Sequence, residues 1–183
     1  MSLRTAYLRS AMAFCLLMPS LGSDRLWAKD ELFERAENWK PFMLSVTGFN
    51  YTDQDIGNFS IDYAGGDMLG AFEWGGDVCC VSVSRGRPLP WSFHVRWAAD
   101  FCEFTTEPNM YGETFDGYQH FYKETDVKFR GPVPKDPSFV AAHFYPDGHV
   151  DIDVTERPPK PRLRFDSRTG RPIRRCTAEE LKQ

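Results

Sequence analysis

Along most of the chain, apolar and polar residues alternate with the two-residue period that is typical of β-strands. The clearest example is residues 91–97, in which Trp, Phe, Val and Trp alternate with Ser, His and Arg. Further strands are predicted at 42–50, 58–63, 78–84, 123–130, 139–145 and 150–154. The Pro-Asp-Gly sequence at 146–148 predicts a tight turn, so residues 139–155 should form a β-hairpin. The pattern predicts a mainly β fold, either an antiparallel β-sandwich or a strongly curved sheet.

Three segments depart from this pattern. Residues 28–39 place apolar side chains at helical spacing and predict one short N-terminal helix that ends before Pro41. Residues 103–121 contain Pro, Asn, Gly and several aromatic residues, and are interpreted as a long loop. Residues 163–174 carry a central turn signal and predict a second hairpin. The expected organisation is a helix within 23–41, a β-rich domain over 42–160 and a C-terminal extension over 161–183.

The first 22 residues have the organisation of a secretory signal peptide. Arg4 and Arg9 give a positive N-terminal region, and residues 11–18 form an uninterrupted apolar run. Ser20 and Gly22 then provide small residues at the −3 and −1 positions of a cleavage site. The apolar run is much shorter than the about 20 residues that a membrane-spanning helix needs. We expect cleavage near Gly22 and export to the periplasm, without stable insertion in a membrane.

Removal of that segment would leave four cysteines: Cys79, Cys80, Cys102 and Cys176. An oxidising compartment permits disulfides, and four cysteines allow three pairings. A bridge between the neighbours Cys79 and Cys80 is disfavoured, because Cα atoms across a trans peptide are only about 3.8 Å apart. In a strand, moreover, the two side chains would point to opposite faces. We favour a bridge from one member of this pair to Cys102.

Charge is unevenly distributed along the chain. Residues 24–156 hold 23 acidic and 11 basic residues, whereas residues 157–183 hold nine basic and three acidic residues. An acidic body disfavours nucleic acid and anionic lipid as ligands. The basic extension is interpreted either as a solvated pair of strands or as a segment that folds back onto the acidic body.

Motifs for catalysis or cofactor binding are not found in the sequence. It contains no Gly-x-Ser-x-Gly motif and no glycine loop of the phosphate-binding type. His143 and His149 could approach each other across the predicted hairpin, and Asp147 or Asp151 could then complete a metal site. Ordinary polar and core roles are the simpler interpretation of these histidines. We therefore expect a protein that is not an enzyme and that binds no metal or other cofactor.

The glycine-rich segment at 64–76 is the candidate partner-binding surface. It places Phe72, Glu73 and Trp74 among glycines, with Asp67 and Asp77 nearby. Aromatic anchors beside charged residues are typical of protein interfaces. The alternative is that Phe72 and Trp74 fold into the core, and the pattern fits both arrangements. We predict that all five residues bind a partner.

Several motifs resemble those of a family of small bacterial envelope proteins that has been described as a domain of unknown function. They lie in order within residues 42–160: Gly-Phe-Asn-Tyr-Thr-Asp at 48–53, Cys-Cys-Val-Ser at 79–82, Val-Arg-Trp at 95–97, a segment ending in Pro-Val-Pro at 123–134 and Ala-His-Phe at 142–144. Many members of the family are lipoproteins. In this chain Cys15 lies inside the apolar run, so we do not expect a lipid anchor.

The resemblance implies a role beside type VI secretion, in which family members act as periplasmic immunity proteins against antibacterial phospholipases. It implies no catalytic residues, and the motif residues are expected to belong to the scaffold. The leading hypothesis is therefore an immunity protein that binds and neutralises a secreted lipase or phospholipase effector. The alternative is a periplasmic carbohydrate- or lipid-binding module or envelope structural protein, with Trp74, Trp91 and Trp97 as its ligand platform.

Overall fold

The alternating pattern forms two β-sheets in the computed structural model, which describes residues 40–167 and 170–182. The predicted signal peptide and the predicted helix at 28–39 lie outside the described residues. The strands of the described residues are β1 (Phe42–Asn50), β2 (Phe59–Ile61), β3 (Ala64–Gly66), β4 (Trp74–Val83), β5 (Trp91–Thr105), β6 (Asp116–Phe129), β7 (Phe139–Phe144), β8 (Val150–Thr155) and β9 (Arg174–Arg175). A turn of 3-10 helix, Glu180–Lys182, follows β9. The predicted mainly β fold is confirmed.

The two sheets are not purely antiparallel. The first has the order β4-β1-β7-β8, and the second has the order β3-β2-β5-β6 with β9 beside β5. The predicted hairpin over 139–155 is confirmed as β7 and β8, with Gly148 at a φ of +86° in the turn. In contrast, β1 and β7 are parallel, as are β5 and β9. A tight turn can join antiparallel strands only, whereas the long stretches of chain between these partners allow either direction, so the antiparallel expectation fails there.

Both sheets contribute to one hydrophobic core. The face of β5 that was predicted to be apolar is buried: Trp91, Phe93, Val95 and Trp97. Gly48 of β1 lies where the backbone is approached closely by core side chains. A Cβ atom at this position would stand 2.6 Å from Leu69 Cδ1 and 2.8 Å from Phe59 Cζ. The glycine that opens the Gly-Phe-Asn-Tyr-Thr-Asp motif therefore lets two core side chains pack directly against the backbone of β1.

The predicted long loop at 103–121 is mostly strand. Strands β5 and β6 remain paired from Asp100 and Phe121 as far as Thr105 and Asp116, so that only residues 106–115 connect them. Pro108, Asn109 and Gly112 lie inside this short connection. The loop prediction was wrong because these turn residues affect only the tip, whereas the aromatic residues around them continue the two strands.

The basic C-terminal extension folds back onto the acidic body, which was one of its two interpretations. Its ion pairs with the body include Arg162 with Asp151 and Asp153, Arg171 with Asp53, Arg174 with Asp100, and Arg175 with Glu103 and Asp116. The hairpin predicted at 163–174 is wrong, because the strand that forms here, β9, pairs with β5 instead of with its own neighbours.

The disulfides also differ from the favoured pairing. Cys102 is bonded to Cys176, with 4.9 Å between the Cα atoms, because β9 lies alongside β5. Cys79 is bonded to Cys80 across a cis peptide that brings their Cα atoms to 3.1 Å, whereas the prediction assumed a trans peptide. The pair lies opposite an irregularity in the β1–β4 register, and neither side chain is buried. A bridge from this pair to Cys102 is therefore wrong.

Candidate protein-binding surface

Trp74 lies on the surface of the protein. It is the first residue of β4, which is at an edge of the first sheet among the described strands, and it is 63% exposed. The indole stacks against the buried ring of Phe49, with 6.5 Å between the ring centroids. Of the two arrangements that the sequence left open, Trp74 therefore adopts the outward one, supported from below by a core residue.

The other four predicted residues differ in exposure. Asp67 and Glu73 are exposed, whereas Phe72 is half-buried and has a φ of +56°. Asp77 lies within β4, so the end of the glycine-rich segment is strand rather than loop. The segment therefore exposes Glu73 and Trp74 at the surface, whereas Phe72 is half-buried.

Backbone hydrogen bonds hold this segment against the end of β1. The Asn50 amide donates to the Glu73 carbonyl at 2.8 Å, and the Phe72 amide donates to the Thr52 carbonyl at 3.1 Å. These bonds fix the chain immediately before Trp74. The exposed indole is thus presented from a preformed backbone, which reduces the entropy that a partner would have to offset on binding.

The side chain of Asn50 adds hydrogen bonds that hold the same segment in place. It is fully buried, and its Nδ2 donates to the carbonyls of Gln54 at 2.8 Å and Gly70 at 2.9 Å. Its Oδ1 accepts from Thr52 N at 3.0 Å and from Thr52 Oγ1 at 2.8 Å. One motif residue therefore joins β1, the loop after it and the segment that carries Trp74.

An apolar groove of about 340 Å³ lies beside Trp74. Its lining includes the aromatic residues Phe49, Trp74 and Phe139 and the prolines Pro158, Pro159 and Pro161. The prolines belong to the chain that follows β8. The sequence pattern did not predict this groove, because its two sides are far apart along the chain. The Pro-Pro-Lys-Pro run at 158–161 was the sequence feature that could have indicated it.

The three-tryptophan ligand platform of the alternative hypothesis is not formed. Trp91 and Trp97 are only 2% and 8% exposed, because both lie on the inward face of β5. Trp91 Nε1 donates to the carbonyl of Arg87 at 3.0 Å, which satisfies its polar atom within the protein. Of the three tryptophans, Trp74 is the accessible one.

A buried polar network connects the tail to the first sheet. His143 is completely buried, with Nδ1 2.9 Å from Tyr51 Oη and Nε2 3.1 Å from Asp153 Oδ2. Arg162 of the tail donates from Nε to the same Asp153 oxygen at 3.0 Å, and its backbone amide donates to Tyr51 Oη at 2.7 Å. The His143 contact and the Arg162 guanidinium hold the pKa of Asp153 well below its usual range. Burial raises the pKa of Tyr51.

His149 takes no part in this network. Its Nδ1 lies 2.5 Å from Asp147 Oδ1, and its ring stacks on Tyr145 with 4.2 Å between the centroids. His143 and His149 therefore do not form the shared metal site considered as an alternative. Within residues 40–167 and 170–182, no group of three or more His, Cys, Asp or Glu side chains is arranged to hold a metal ion.

Most of the two-sheet domain matches the sequence model of a protein family. Residues 49–152, from β1 into β8, match the family described as "Protein of unknown function (DUF3304)". The match covers more than half of the chain, so the chain belongs to this family. No curated protein and no solved structure matches it.

Proposed function

We propose that this chain is an exported immunity protein that binds and neutralises an antibacterial lipase or phospholipase effector of type VI secretion. The resemblance of its motifs to those of immunity-type envelope proteins supports the proposal. The structural observation that carries it is the exposed indole of Trp74, held on a hydrogen-bonded backbone beside an apolar groove.

This arrangement fits a protein partner for physical reasons. Tryptophan is among the residues that most often contribute the largest share of binding free energy at an interface. Exposed charges such as that of Glu73 form the rim that typically surrounds such an anchor. Inhibitors that bind enzymes through preformed surfaces typically bury about 1,600 Å² in total. We propose that Asp67, Phe72, Glu73, Trp74 and Asp77 belong to that contact area.

The cysteines support an oxidising compartment. Both disulfides, Cys79–Cys80 and Cys102–Cys176, are compatible with a secreted or periplasmic protein. No helix in the described part of the chain is long and apolar enough to cross a membrane. The export step itself is tested by mass spectrometry of the periplasmic protein, which should begin near Ser23 if the signal peptide is cleaved near Gly22.

The decisive experiment starts from the neighbouring gene, which we expect to encode a lipase or phospholipase. The two products are co-expressed and purified through a tag on one of them, and hydrolysis of a phospholipid substrate is measured with increasing amounts of this protein. Stable co-purification with loss of hydrolysis supports the proposal. A neighbouring lipase that neither binds nor is inhibited would contradict it.

The binding surface is tested with Trp74→Ala and Glu73→Lys. Removal of a central aromatic anchor typically costs about 2 kcal/mol or more, which is a loss of roughly thirty-fold in affinity. Charge reversal at the rim should mainly slow association, and the effect should fade with added salt. Tyr63→Ala is the matched control, because Tyr63 is 90% exposed in the turn between β2 and β3. Equal affinity of Trp74→Ala and Tyr63→Ala would place the interface elsewhere.

A small-ligand function remains the second candidate, as a carbohydrate- or lipid-binding envelope module. The groove beside Trp74 favours it, because about 340 Å³ is within the range of ligand pockets and the lining is largely apolar. The test is Trp74 fluorescence during titration with lysophospholipid or with oligosaccharides. A saturable change that is absent in Trp74→Phe, in a protein that does not inhibit the neighbouring lipase, would favour this candidate over immunity.

A further inference from the structure

The tip of the β5–β6 hairpin exposes a cluster of large apolar residues. Met110 is 88% exposed, Tyr111 is 79% exposed and Phe115 is 58% exposed, and Tyr118 at the start of β6 is 50% exposed. These residues lie within nine consecutive positions at and beside the end of the hairpin. Concentrated exposure of apolar side chains is typical of interaction sites.

The tip has a defined backbone. Asn109 Oδ1 accepts from the amides of Tyr111 at 2.8 Å and Glu113 at 3.1 Å. The Thr106 amide donates to the Phe115 carbonyl at 2.8 Å, which closes the connection at the end of the two strands. The backbone that carries the exposed side chains is thus preformed, which reduces the entropy that is lost on binding.

The basic tail braces the hairpin below its tip. The Cys102–Cys176 disulfide bonds β5 covalently to the residue that follows β9. Arg174 Nη2 lies 2.8 Å from Asp100 Oδ2, and Arg175 Nη1 lies 3.5 Å from Glu103 Oε2. The outer half of the hairpin is therefore supported by a segment from the far end of the chain.

The arginines of the tail neutralise carboxylates along the strands but leave the tip of the hairpin acidic. Between Arg96 and Lys123 the chain has no Lys or Arg, but it has five carboxylates: Asp100, Glu103, Glu107, Glu113 and Asp116. The tail arginines pair with Asp100, Glu103 and Asp116. Glu107 and Glu113 are exposed and have no basic partner among the described residues. The tip thus combines apolar side chains with uncompensated negative charge.

We propose that this tip enters the active-site cleft of the effector and occupies the place of an anionic phospholipid. The inference rests on the proposed function, since it assumes a phospholipase as the partner. A cleft that accepts phospholipid needs an apolar region for acyl chains and positive charge for the phosphate. The apolar region would accept Met110, Tyr111 and Phe115. The positive charge would face the carboxylates of Glu107 and Glu113. Their negative charge also disfavours an anionic bilayer as the occupant.

The test compares three variants against the lipase encoded by the neighbouring gene. Met110→Ala with Tyr111→Ala should weaken binding about thirty-fold or more, and Glu107→Lys should slow association in a salt-dependent manner. Tyr63→Ala should bind like the wild type. Tyr63 is a suitable control because its ring lies beside that of His94, and eleven residues of β5, about 35 Å of extended strand, separate His94 from Thr105 at the start of the tip. All variants should melt at the wild-type temperature, because the substituted side chains are exposed.

Inhibition kinetics test the location of the tip. With a short-chain phosphatidylglycerol as substrate, inhibition by the wild type should be competitive, raising apparent KM without changing kcat. If the wild type inhibits the lipase but the tip variants bind equally well, or if inhibition leaves KM unchanged, the tip proposal is overturned while the immunity function stands. If the wild type neither binds nor inhibits the lipase, both fail. Tip-dependent binding to phosphatidylcholine vesicles, or tip-dependent self-association, without lipase binding would also overturn it.

Discussion

Replacement of Asn50 by alanine should be one of the most destabilising polar substitutions in this protein. Asn50 is fully buried and takes part in four side-chain hydrogen bonds, two as donor to carbonyls and two as acceptor from Thr52. Each such bond contributes about 1 kcal/mol net to stability. Because alanine leaves all four partner groups in place, we expect the free energy of unfolding to fall by about 4 kcal/mol.

The measurement is urea unfolding at neutral pH with the disulfides intact, followed by far-UV circular dichroism. With a urea dependence of about 2 kcal/mol per molar, a loss of about 4 kcal/mol lowers the unfolding midpoint by roughly 2 M. This is a large fraction of the 5–15 kcal/mol by which domains are usually stable. Asn58→Ala is the matched control, because Asn58 is exposed and should change stability by less than about 0.5 kcal/mol.

A second substitution separates the two hydrogen bonds that Asn50 donates from the two that it accepts. Asn50→Asp keeps an acceptor for Thr52 but places carboxylate oxygen against the carbonyls of Gln54 and Gly70. It should therefore destabilise the protein despite its equal size. If Asn50→Ala lowers the free energy of unfolding by less than about 1 kcal/mol, the hydrogen bonds of the Asn50 side chain do not hold the Trp74 segment in place, and the argument for a preformed surface fails.

Two further predictions concern packing and pH. Gly48→Ala should destabilise by about 1–3 kcal/mol, because its Cβ would overlap Leu69 and Phe59, whereas Gly65→Ala has no atom within 4 Å and should be nearly neutral in the same urea assay. The lowered pKa of Asp153 contributes stability that is present above the ordinary carboxyl pKa of about 4 and is lost as the pH falls toward the lower folded value. Asp153→Asn should flatten the fall of melting temperature with pH below about 4, and an unchanged profile would show that the contact with His143 and Arg162 does not stabilise the fold.

The family motif and the candidate surface have different roles in the molecule. Asn50, Tyr51 and His143 are motif residues, and all three are buried. They position the Trp74 segment and the tail rather than meeting a partner themselves. Trp74 and the hairpin tip are exposed and lie on parts of the chain that the scaffold holds in place. In the proposed complex, partner specificity should therefore depend on these exposed residues, and the stability of the fold should depend on the motif.

The candidate surface was only partly predictable. The glycine-rich context of Trp74 indicated a surface segment, but it fitted an inward indole equally well. Trp97 also has polar neighbours, yet it is buried because its strand faces the other sheet. The sequence predicts a long loop over 103–121, but the connection is only residues 106–115, because strand pairing between β5 and β6 is a property of two segments together.

The sequence by itself determined the features that depend on near neighbours. Alternation specified the buried face of β5, and the Pro-Asp-Gly turn specified the β7–β8 hairpin. The tertiary structure decided which distant segments meet. The Cys102–Cys176 bond, the ion pairs of the tail and the parallel pairing of β1 with β7 join residues that are far apart along the chain. Such contacts depend on how the whole chain buries apolar surface and satisfies its buried polar groups. The local pattern of apolar and polar residues does not specify which distant segments do this together.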